Sequence, residues 1–394
     1  MKTVLLAWEL GGGFGHIAGL RRYAARFARH GVRMVAVLRN PDAARGLADL
    51  GVEILQAPPW PEKSLSAKQR AALSSATMGD SLASAGFADA AALDGLLTRW
   101  RGIFQRVRPD LVVADYAPAA SLLARGRVPL MIVGNGYTVP PSEMIHFPLL
   151  QRTVAPAWDE MRLLTIVNKA TVAHGIAPLE RLPQLFSADD YLVETFPLLD
   201  PHDLQRTSPA DGPAFDSAPV AKRGNADKIL VYLAPGYPLR RDTLHGLLPF
   251  AQQMQIYAPN LSAFWRMRLK FSGADIHNTP LDLADALASA RLVIHFGGGG
   301  LASHAMAAGV PQLVLASQIE QELNGQALAR AGIGKYVRAY DTDVPISAEL
   351  ISDLLNDGAM AQQAEQSGEE HRRLLKSYDP LGAFETRARK LLRL

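Results

Sequence analysis

The residues best suited to chemistry lie in a glycine-rich segment that follows an apolar run at 290–294. His295 and Phe296 precede four consecutive glycines, and a helical pattern of small residues continues to Gly309. Backbone N–H groups at the start of a helix carry partial positive charge and attract phosphate groups, and a nearby histidine adds a charge-assisted hydrogen bond. The segment therefore predicts a cradle for a diphosphate, built from His295, Gly297, Gly298, Gly299 and Gly300. The alternative is that the glycines only let the helix and the strand pack closely.

Residues on both sides of this turn extend the pattern. The helix runs into Gly309-Val310-Pro311-Gln312, the pair Glu320-Gln321 follows, and Asn278 stands in the stretch before the turn. Over residues 275–335 the chain resembles the nucleotide-sugar signature of family-one, UDP-sugar-dependent glycosyltransferases. The resemblance implies that the glycine-rich turn holds the donor diphosphate, that Glu320 and Gln321 bind the donor sugar, and that Asn278 is a further donor contact. The alternative for Glu320 and Gln321 is a solvated helix start.

Two positions depart from that family's pattern. His304 stands where many members have a glutamate that binds the ribose hydroxyls, and a histidine cannot accept from both hydroxyls as a carboxylate does. His304 is thus a candidate nucleotide contact, and a thymidine-linked donor without a 2′-hydroxyl becomes a candidate beside a UDP-linked one. Phe296 stands where many members have their phosphate-binding histidine, so His295 matches the first of two histidines found in some bacterial members.

A second loop of the same kind follows the apolar run at 229–234. It contains Gly236 and Tyr237, and we expect Gly236 to lie near the diphosphate or the acceptor. Arg240 and Arg241 follow and can neutralise phosphate, although surface arginines are common.

The first loop of the chain carries the candidate general base. After an apolar run at 3–7 come Trp8-Glu9-Leu10 and a glycine-rich stretch that ends in His16. The glycine spacing differs from the dinucleotide fingerprint and no acidic residue ends the second strand, so a nicotinamide enzyme is disfavoured. The loop resembles the opening of GT-B glycosyltransferases, and the resemblance implies that His16 is catalytic. Imidazole titrates near neutral pH and suits proton removal from an acceptor hydroxyl, whereas the alternative is a histidine that caps or packs at the helix start.

Two carboxylates compete for roles beside His16. Asp115 ends the apolar run at 111–114 and is expected to orient the imidazole, or else to cap the helix that starts near Ala117. Glu9 lies on the same loop as His16 and is the rival: it binds the acceptor or replaces His16 as base.

The acceptor site is predicted on loops that follow the strands of the N-terminal half. The candidate contacts are Trp8, Gly13, Phe14, Asn135 and Tyr137. An irregular apolar stretch at 140–150 suits a hydrophobic acceptor or is buried core.

Composition narrows the function classes. The 394 residues carry a formal net charge of +3 and no basic run interleaved with aromatics, so nucleic acid is not an expected partner. The chain contains 0 cysteines and no Asp-x-Asp motif, and its histidines are scattered; we expect no metal and no cofactor other than the substrate nucleotide sugar. No signal peptide and no apolar run of about 20 residues is recognisable, which predicts a cytoplasmic protein with at most peripheral membrane contact. We expect a monomer or a homodimer.

The elements that must position these residues alternate between short apolar runs and helical patterns. Unbroken apolar strands separated by amphipathic helices predict parallel sheets covered on both faces. We predict an N-terminal Rossmann-like acceptor domain over residues 1–204, a linker over 205–227, a C-terminal Rossmann-like nucleotide-sugar domain over 228–377, and a helix over 378–394 that packs back on the first domain. The resemblance implies two such domains of the α/β class facing a central cleft, the GT-B fold.

Together these features predict a metal-independent inverting glycosyltransferase that uses a UDP- or TDP-linked sugar and a small-molecule acceptor. A nucleotide-sugar hydrolase on a related fold and a non-catalytic sugar-nucleotide-binding partner protein are the alternatives.

Overall fold

The computed structural model describes residues 1–12, 14–60, 75–151, 154–235, 237, 239–339 and 346–394. Within these residues the chain divides into two compact units. Unit 1 comprises Met1–Ala214 and Asp379–Leu394, and unit 2 comprises Phe215–Tyr378. The boundary lies inside the predicted linker at 205–227.

Twelve strands and fourteen helices are described. The strands are β1 (Thr3–Trp8), β2 (Arg33–Leu38), β3 (Glu53–Gln56), β4 (Leu111–Asp115), β5 (Leu130–Gly134), β6 (Asp190–Val193), β7 (Lys228–Tyr232), β8 (Met254–Tyr257), β9 (Asp275–His277), β10 (Ala290–His295), β11 (Gln312–Ala316) and β12 (Gly334–Arg338). The helices are α1 (Phe14–Phe27), α2 (Arg45–Ala48), α3 (Met78–Leu82), α4 (Ala90–Val107), α5 (Pro118–Ala124), α6 (Glu160–Val172), α7 (Arg241–Leu247), α8 (Ala263–Phe271), α9 (Leu283–Ala288), α10 (Gly299–Ala308), α11 (Ile319–Arg330), α12 (Ala348–Asn356), α13 (Gly358–Leu375) and α14 (Pro380–Leu392).

Short helices of other types extend these elements. Turns of 3₁₀ helix occupy Ala28–His30, Pro41–Ala43, Leu182–Phe186, Pro197–Leu199, Asp203–Gln205 and Leu248–Gln253, and a π-helical turn occupies Ala83–Phe87.

Unit 1 is built on a six-stranded parallel sheet in the order β3-β2-β1-β4-β5-β6. Every residue of β1 and of β4 is buried, as expected for strands covered on both faces. The register pairs Trp8 with Asp115 across these two strands, so their carboxyl ends lie at the same edge. Loops that follow β1 and β4 are therefore held side by side.

Helix α14 belongs to unit 1, although all of unit 2 separates it in sequence from the rest of that unit. The ring of Phe384 stacks on Tyr23 of α1 with centroids 4.3 Å apart. His30 Nε2 lies 2.7 Å from Glu385 Oε1, and the Arg387 guanidinium pairs with Asp211 at 2.6 Å. The aromatic contact with α1 and the polar contacts with His30 and Asp211 fix this helix on unit 1.

Unit 2 repeats the architecture with a second six-stranded parallel sheet, in the order β12-β11-β10-β7-β8-β9. β10 lies at the centre and pairs with both β7 and β11. The second half of the predicted linker packs on this unit: the Lys222 N–H donates to Ala308 O at 2.9 Å and the Arg223 N–H donates to Ala288 O at 2.7 Å. The two sheets with their flanking helices confirm the prediction of two Rossmann-like domains of the α/β class.

Across the described ranges, we find no helix with the length and apolar character needed to span a membrane.

Candidate functional site

His16 and Asp115 form a hydrogen-bonded pair in unit 1 that is suited to proton transfer. His16 lies in the first turn of α1, and its Nδ1 lies 2.9 Å from Oδ1 of Asp115, the last residue of β4. The imidazole stacks on the Trp8 indole, with centroids 5.1 Å apart and planes inclined by 21°. A carboxylate bound to Nδ1 favours the tautomer with its proton on that atom, which makes Nε2 the basic nitrogen. Such a pair can take a proton from a hydroxyl group.

The glycine loop approaches this imidazole closely. Gly11 has a φ of +79°, and a Cβ atom at that position would lie 2.5 Å from Nε2 of His16. Only glycine fits there, because any side chain would meet both the imidazole and the strain of a positive φ. The loop thus brings its backbone next to Nε2, while Gly12 and Gly15 face open space.

Glu9 has a different role from the two predicted for it. Its side chain is 1% exposed, and its two oxygens accept hydrogen bonds from the N–H groups of Ala119 at 3.0 Å and Ala120 at 2.7 Å. These are first-turn amides of α5, whose N-cap residue Ala117 has no side chain able to cap. Burial raises the pKa of Glu9 to about 8, against the lowering effect of the two amides. Glu9 caps α5 from within the core, which contradicts its predicted role as acceptor contact or base.

The same contacts decide the alternatives for Asp115. The helix cap proposed for Asp115 is supplied by Glu9, and the Asp115 carboxylate bonds His16 instead. The geometry agrees with an orienting role for Asp115.

Sequence reasoning missed a second buried carboxylate near this pair. Glu194 directly follows β6, and its Oε2 lies 3.5 Å from Nη2 of Arg22 on α1. Burial raises the pKa of Glu194; Arg22 and Tyr23 oppose that rise, and the charge of Asp115 adds to it. Its place at a strand carboxyl end was the available indication, since that edge also carries Asp115.

Three of the five predicted acceptor contacts make hydrogen bonds within unit 1. Trp8 is buried, and its indole N–H donates to Leu10 O at 2.6 Å. Its ring stacks on His16 and presents no surface to an acceptor, so the prediction of Trp8 as an acceptor contact is wrong. The hydroxyl of Tyr137 donates to Ser81 Oγ at 2.8 Å, and Asn135 Oδ1 accepts from the N–H of Thr138 at 3.0 Å.

Two aromatic rings nevertheless lie together after β4 and β5. Tyr116 and Tyr137 meet edge to face with centroids 6.3 Å apart, and Tyr116 has an unusual φ of +43°. Gly13 and the side chain of Phe14 lie outside the described part of the chain. The stretch at 140–150 was expected to be either an acceptor surface or buried core, and it is partly each: Phe147 is buried, whereas Ile145 and Leu149 are exposed.

In unit 2 the structure overturns the predicted role of His295. The imidazole is 0% exposed; its Nε2 bonds Oε1 of Gln312 at 2.9 Å, and its Nδ1 accepts from the N–H of Gly297 at 3.2 Å. Burial lowers the pKa of His295 to about 4. A neutral ring with both nitrogens engaged cannot contact a diphosphate. The prediction for His295 is therefore wrong, and the amide of Gly297 is lost to the cradle with it.

Gly297 allows close packing of the backbone, which was the alternative to a role in phosphate binding. It has a φ of +88°, and a Cβ atom there would lie 2.6 Å from Val314 Cγ1. Its carbonyl oxygen accepts from Nδ2 of Asn324 at 2.8 Å. This glycine lets β10, β11 and α11 approach one another closely.

The remaining glycines keep the geometry of an anion site. Gly298 is the N-cap of α10, and Gly299 and Gly300 form its first turn. First-turn amides have no acceptor within their own helix, so they are available to a phosphate group. A Cβ atom at Gly300 would meet open space. The predicted cradle is thus reduced to Gly298, Gly299 and Gly300.

Glu320 and Gln321 begin α11 beside this turn. The backbone oxygen of Gln321 would lie 2.9 Å from a Cβ atom on Gly297, so the two segments touch. Gln321 Oε1 accepts from the N–H and the hydroxyl of Ser317 at 2.7 and 2.9 Å, which leaves its amide group as a donor. Glu320 is half-buried in the first turn of the helix. Both residues stay candidate sugar contacts.

The other predicted donor residues are His304, Asn278 and Gly236. His304 is buried, its ring centroid lies 4.8 Å from that of Phe215, and burial lowers its pKa to about 4. No nucleotide can reach His304 while Phe215 covers it. Asn278 is exposed, and its Oδ1 accepts from Arg266 Nη1 at 2.9 Å. Gly236 lies outside the described residues, and Arg240 pairs with Asp242.

Comparison with known proteins adds family relationships to this geometry. Residues 277–373 match the sequence model of the family described as "Erythromycin biosynthesis protein CIII-like, C-terminal domain". The "PGL/p-HBAD biosynthesis rhamnosyltransferase" of Mycobacterium bovis is 26% identical over 268 residues, which cover 60% of this chain and 58% of the relative. The chain thus spans less than two thirds of the length of that relative.

Solved structures confirm the predicted GT-B fold. The structure of the calicheamicin glycosyltransferase CalG4 aligns with this chain at a TM-score of 0.67 and 18% identity. The alignment covers 100% of this chain and 98% of CalG4. The spinosyn rhamnosyltransferase SpnG complexed with thymidine diphosphate covers 98% of this chain with 99% of its own, at a TM-score of 0.59 and 16% identity. The predicted similarity to family-one glycosyltransferases is confirmed, since these homologues and structural neighbours are glycosyltransferases.

Proposed function

Because the chain has the GT-B fold and matches the EryCIII-like C-terminal domain, we propose that it transfers a sugar from a nucleoside-diphosphate sugar to a hydroxyl group of a small-molecule acceptor. The observation that carries the proposal is the hydrogen bond of 2.9 Å between His16 and Asp115. A histidine oriented by a carboxylate is well suited to general-base catalysis, and the carboxyl edge of a parallel sheet is where ligands bind in such folds.

We propose an inverting reaction with His16 as base. Nε2 of His16 takes the hydroxyl proton of the acceptor while the acceptor oxygen forms a bond to the anomeric carbon. The bond between that carbon and the diphosphate oxygen breaks, and the electron pair leaves with the nucleoside diphosphate. Asp115 holds the imidazole and stabilises the imidazolium that forms.

Unit 2 supplies the donor site in this proposal. The first-turn amides of α10, from Gly299 and Gly300 together with the N-cap Gly298, balance the charge that develops on the leaving diphosphate. Glu320 and the Gln321 amide group bind the sugar hydroxyls. No bound metal is part of the proposed site.

The nucleotide is proposed to be UDP or TDP. The resemblance to UDP-sugar enzymes supports the first, and the second is supported by the thymidine diphosphate that SpnG binds in its solved structure.

Binding and turnover test the proposal in sequence. The melting temperature is measured with UDP, TDP, GDP and ADP, each with and without EDTA, because a ligand that binds the folded chain raises it. Release of the stabilising nucleotide from its sugar conjugates is then followed with and without a panel of hydroxylated aromatic and macrocyclic acceptors.

Acceptor-dependent release that His16→Ala abolishes would support the proposal. Release at the same rate without acceptor would instead identify a hydrolase. Stabilisation by a nucleotide without turnover of any donor would identify a non-catalytic binding protein, and no stabilisation by any nucleotide would overturn the donor site. Loss of binding in EDTA would contradict the metal-free site.

A further inference from the structure

The exposed side of helix α8 in unit 2 carries three large apolar side chains, each more than half exposed. Phe264 is 58% exposed, Met267 is 55% exposed and Phe271 is 86% exposed. At about 100° per residue these three positions fall within roughly 60° of the helix circumference. They therefore form one continuous surface, named here the Phe264 face. Scattered exposed apolar residues are ordinary, but a cluster on one helical face indicates an interaction surface.

The opposite side of the helix accounts for its folding without the Phe264 face. Trp265 and Leu269 are buried in the core of unit 2, and Ser262 caps the helix by accepting from the N–H of Trp265. The Phe264 face is thus not required to hold α8 in place. Its apolar character has to be explained by something outside this unit.

Positive charge surrounds the Phe264 face. The nine residues of α8 include Arg266, Arg268 and Lys270 and no acidic residue. Arg268 and Lys270 are exposed and lie on either side of the apolar triplet, with the Arg268 guanidinium 5.4 Å from the centre of the Trp265 ring. Asp275 on the adjacent strand β9 is already paired with His277 at 3.0 Å.

We propose that the Phe264 face docks on an anionic lipid surface. A short helix with large apolar side chains on one side and flanking cations matches the requirements of the bilayer interface: the rings enter the acyl boundary and the cations meet anionic headgroups. Pairing of two copies through this face is the competing occupant. A two-fold contact would bring the flanking Arg268 and Lys270 of one α8 close to those of the other, with no acidic residue on either helix, so the charge favours the membrane.

Vesicle binding tests the proposal directly. The purified chain is mixed with two kinds of vesicle, one of phosphatidylcholine alone and one of phosphatidylcholine with about 30–40% phosphatidylglycerol. Low salt is used because salt screens the attraction between charges, and the bound protein is measured after sedimentation. Binding to the anionic vesicles is expected, with little binding to phosphatidylcholine alone. Absence of binding to anionic vesicles would overturn the proposal.

Three variants separate the apolar and electrostatic contributions. The triple change Phe264→Ser, Met267→Ser, Phe271→Ser should lower the partition coefficient at least tenfold. Arg268→Gln with Lys270→Gln should lower it about thirtyfold, since each cation near an anionic surface contributes about 1 kcal/mol. The single change Phe271→Ser, at the last residue of the helix, gives a weaker loss in the same direction and guards against misfolding of the triple variant.

A matched control comes from unit 1. Met161 and Val172 on α6 are each 63% exposed but lie about 16 Å apart along the helix, so they form no continuous apolar surface. Serine at both positions should leave vesicle binding unchanged; an equal loss would show that general surface hydrophobicity is responsible and would overturn the proposal. A dimer in light scattering that the triple variant abolishes, with vesicle binding unaffected, would assign the face to a second copy and overturn it as well.

Discussion

Replacing Asp115 by asparagine is the sharpest test of the proposed catalytic pair. Asparagine has the same shape, but its amide group can donate to Nδ1 of His16 and so place the imidazole proton on Nε2. That nitrogen can then no longer accept the proton of the acceptor. The change also removes the negative charge that stabilises the imidazolium in the transition state.

The size of the effect follows from the distance. Nδ1 and Oδ1 are 2.9 Å apart, and the Asp115 side chain is almost fully buried. Unit charges whose centres lie about 4 Å apart interact by about 4 kcal/mol at an effective dielectric constant near 20. The His16 side chain is 15% exposed, so solvent screens part of that energy. A fall in kcat of about 10²- to 10³-fold is expected, since each 1.36 kcal/mol corresponds to about tenfold.

The assay is nucleoside diphosphate release under saturating donor and acceptor. The donor KM should stay within about twofold, because Asp115 has no proposed contact with the donor. Glu385→Gln is the matched control: it removes a carboxylate from another histidine pair in the same unit, His30 with Glu385 at 2.7 Å, and kcat should not change. Retention of more than a tenth of kcat by a folded Asp115→Asn protein would refute the role of Asp115.

Three further predictions concern the corrected and retained residues. Glu9→Ala should lower the free energy of unfolding by about 2–3 kcal/mol in chemical denaturation, because two buried amides of α5 lose their acceptor; an unchanged midpoint would contradict the capping role. Burial lowers the pKa of His295 from 6.5 to about 4, so below pH 6.5 the unfolded chain binds more protons than the folded chain. The free energy of unfolding should therefore fall as pH decreases from 6.5 to 4, by up to about 3 kcal/mol from this residue, and a His295→Gln variant with the same pH slope would exclude that assignment. Gly297→Ala should destabilise the fold by more than about 2 kcal/mol because of its positive φ and the contact with Val314, whereas Gly300→Ala should leave stability unchanged or slightly higher and weaken nucleotide affinity. Thermal melts with titrated nucleotide separate these two effects, and equal destabilisation by both would contradict the division between packing and binding glycines.

The fold was predictable because hydrophobic patterning repeats at the right intervals. Apolar runs at 3–7 and 111–114 became β1 and β4. The amphipathic pattern at 17–30 predicts a helix, and the structure has α1 followed by a 3₁₀ turn that ends at His30. The sequence pattern at 41–50 also predicts a helix, but the structure has only a 3₁₀ turn at Pro41–Ala43 followed by the short helix Arg45–Ala48. Pro41 fits a turn as well as a first helical position, so the pattern there could not distinguish them.

Within the site, prediction succeeded where topology alone sets the neighbours. Parallel strands place their carboxyl ends together, which is why His16 and Asp115 meet although 99 residues separate them. The roles of Glu9 and Trp8 depended instead on the alternation of side chains along β1. Trp8 packs with Val4 and Leu6 on the α1 side, so the next side chain, Glu9, points to the other face and reaches α5.

The error at His295 has a related cause. A histidine before glycines looks the same in sequence whether it points to the ligand or into the core. Its burial depends on Gln312, which stands 17 residues later at the start of β11 and supplies the polar partner that makes burial tolerable. Such compensation between distant buried groups cannot be deduced from one strand and one turn.

The position of α14 has a consequence for how the chain reaches its folded state. Phe384 fills the core of unit 1 between Tyr23 and Phe27, yet the ribosome adds it only after every residue of unit 2 has been made. Unit 2 is continuous in sequence and can close its core during synthesis, whereas unit 1 must wait for residues 379–394 with part of its apolar surface uncovered. Although its residues are translated first, unit 1 is therefore completed last, and it is the half of the molecule most exposed to aggregation while translation proceeds.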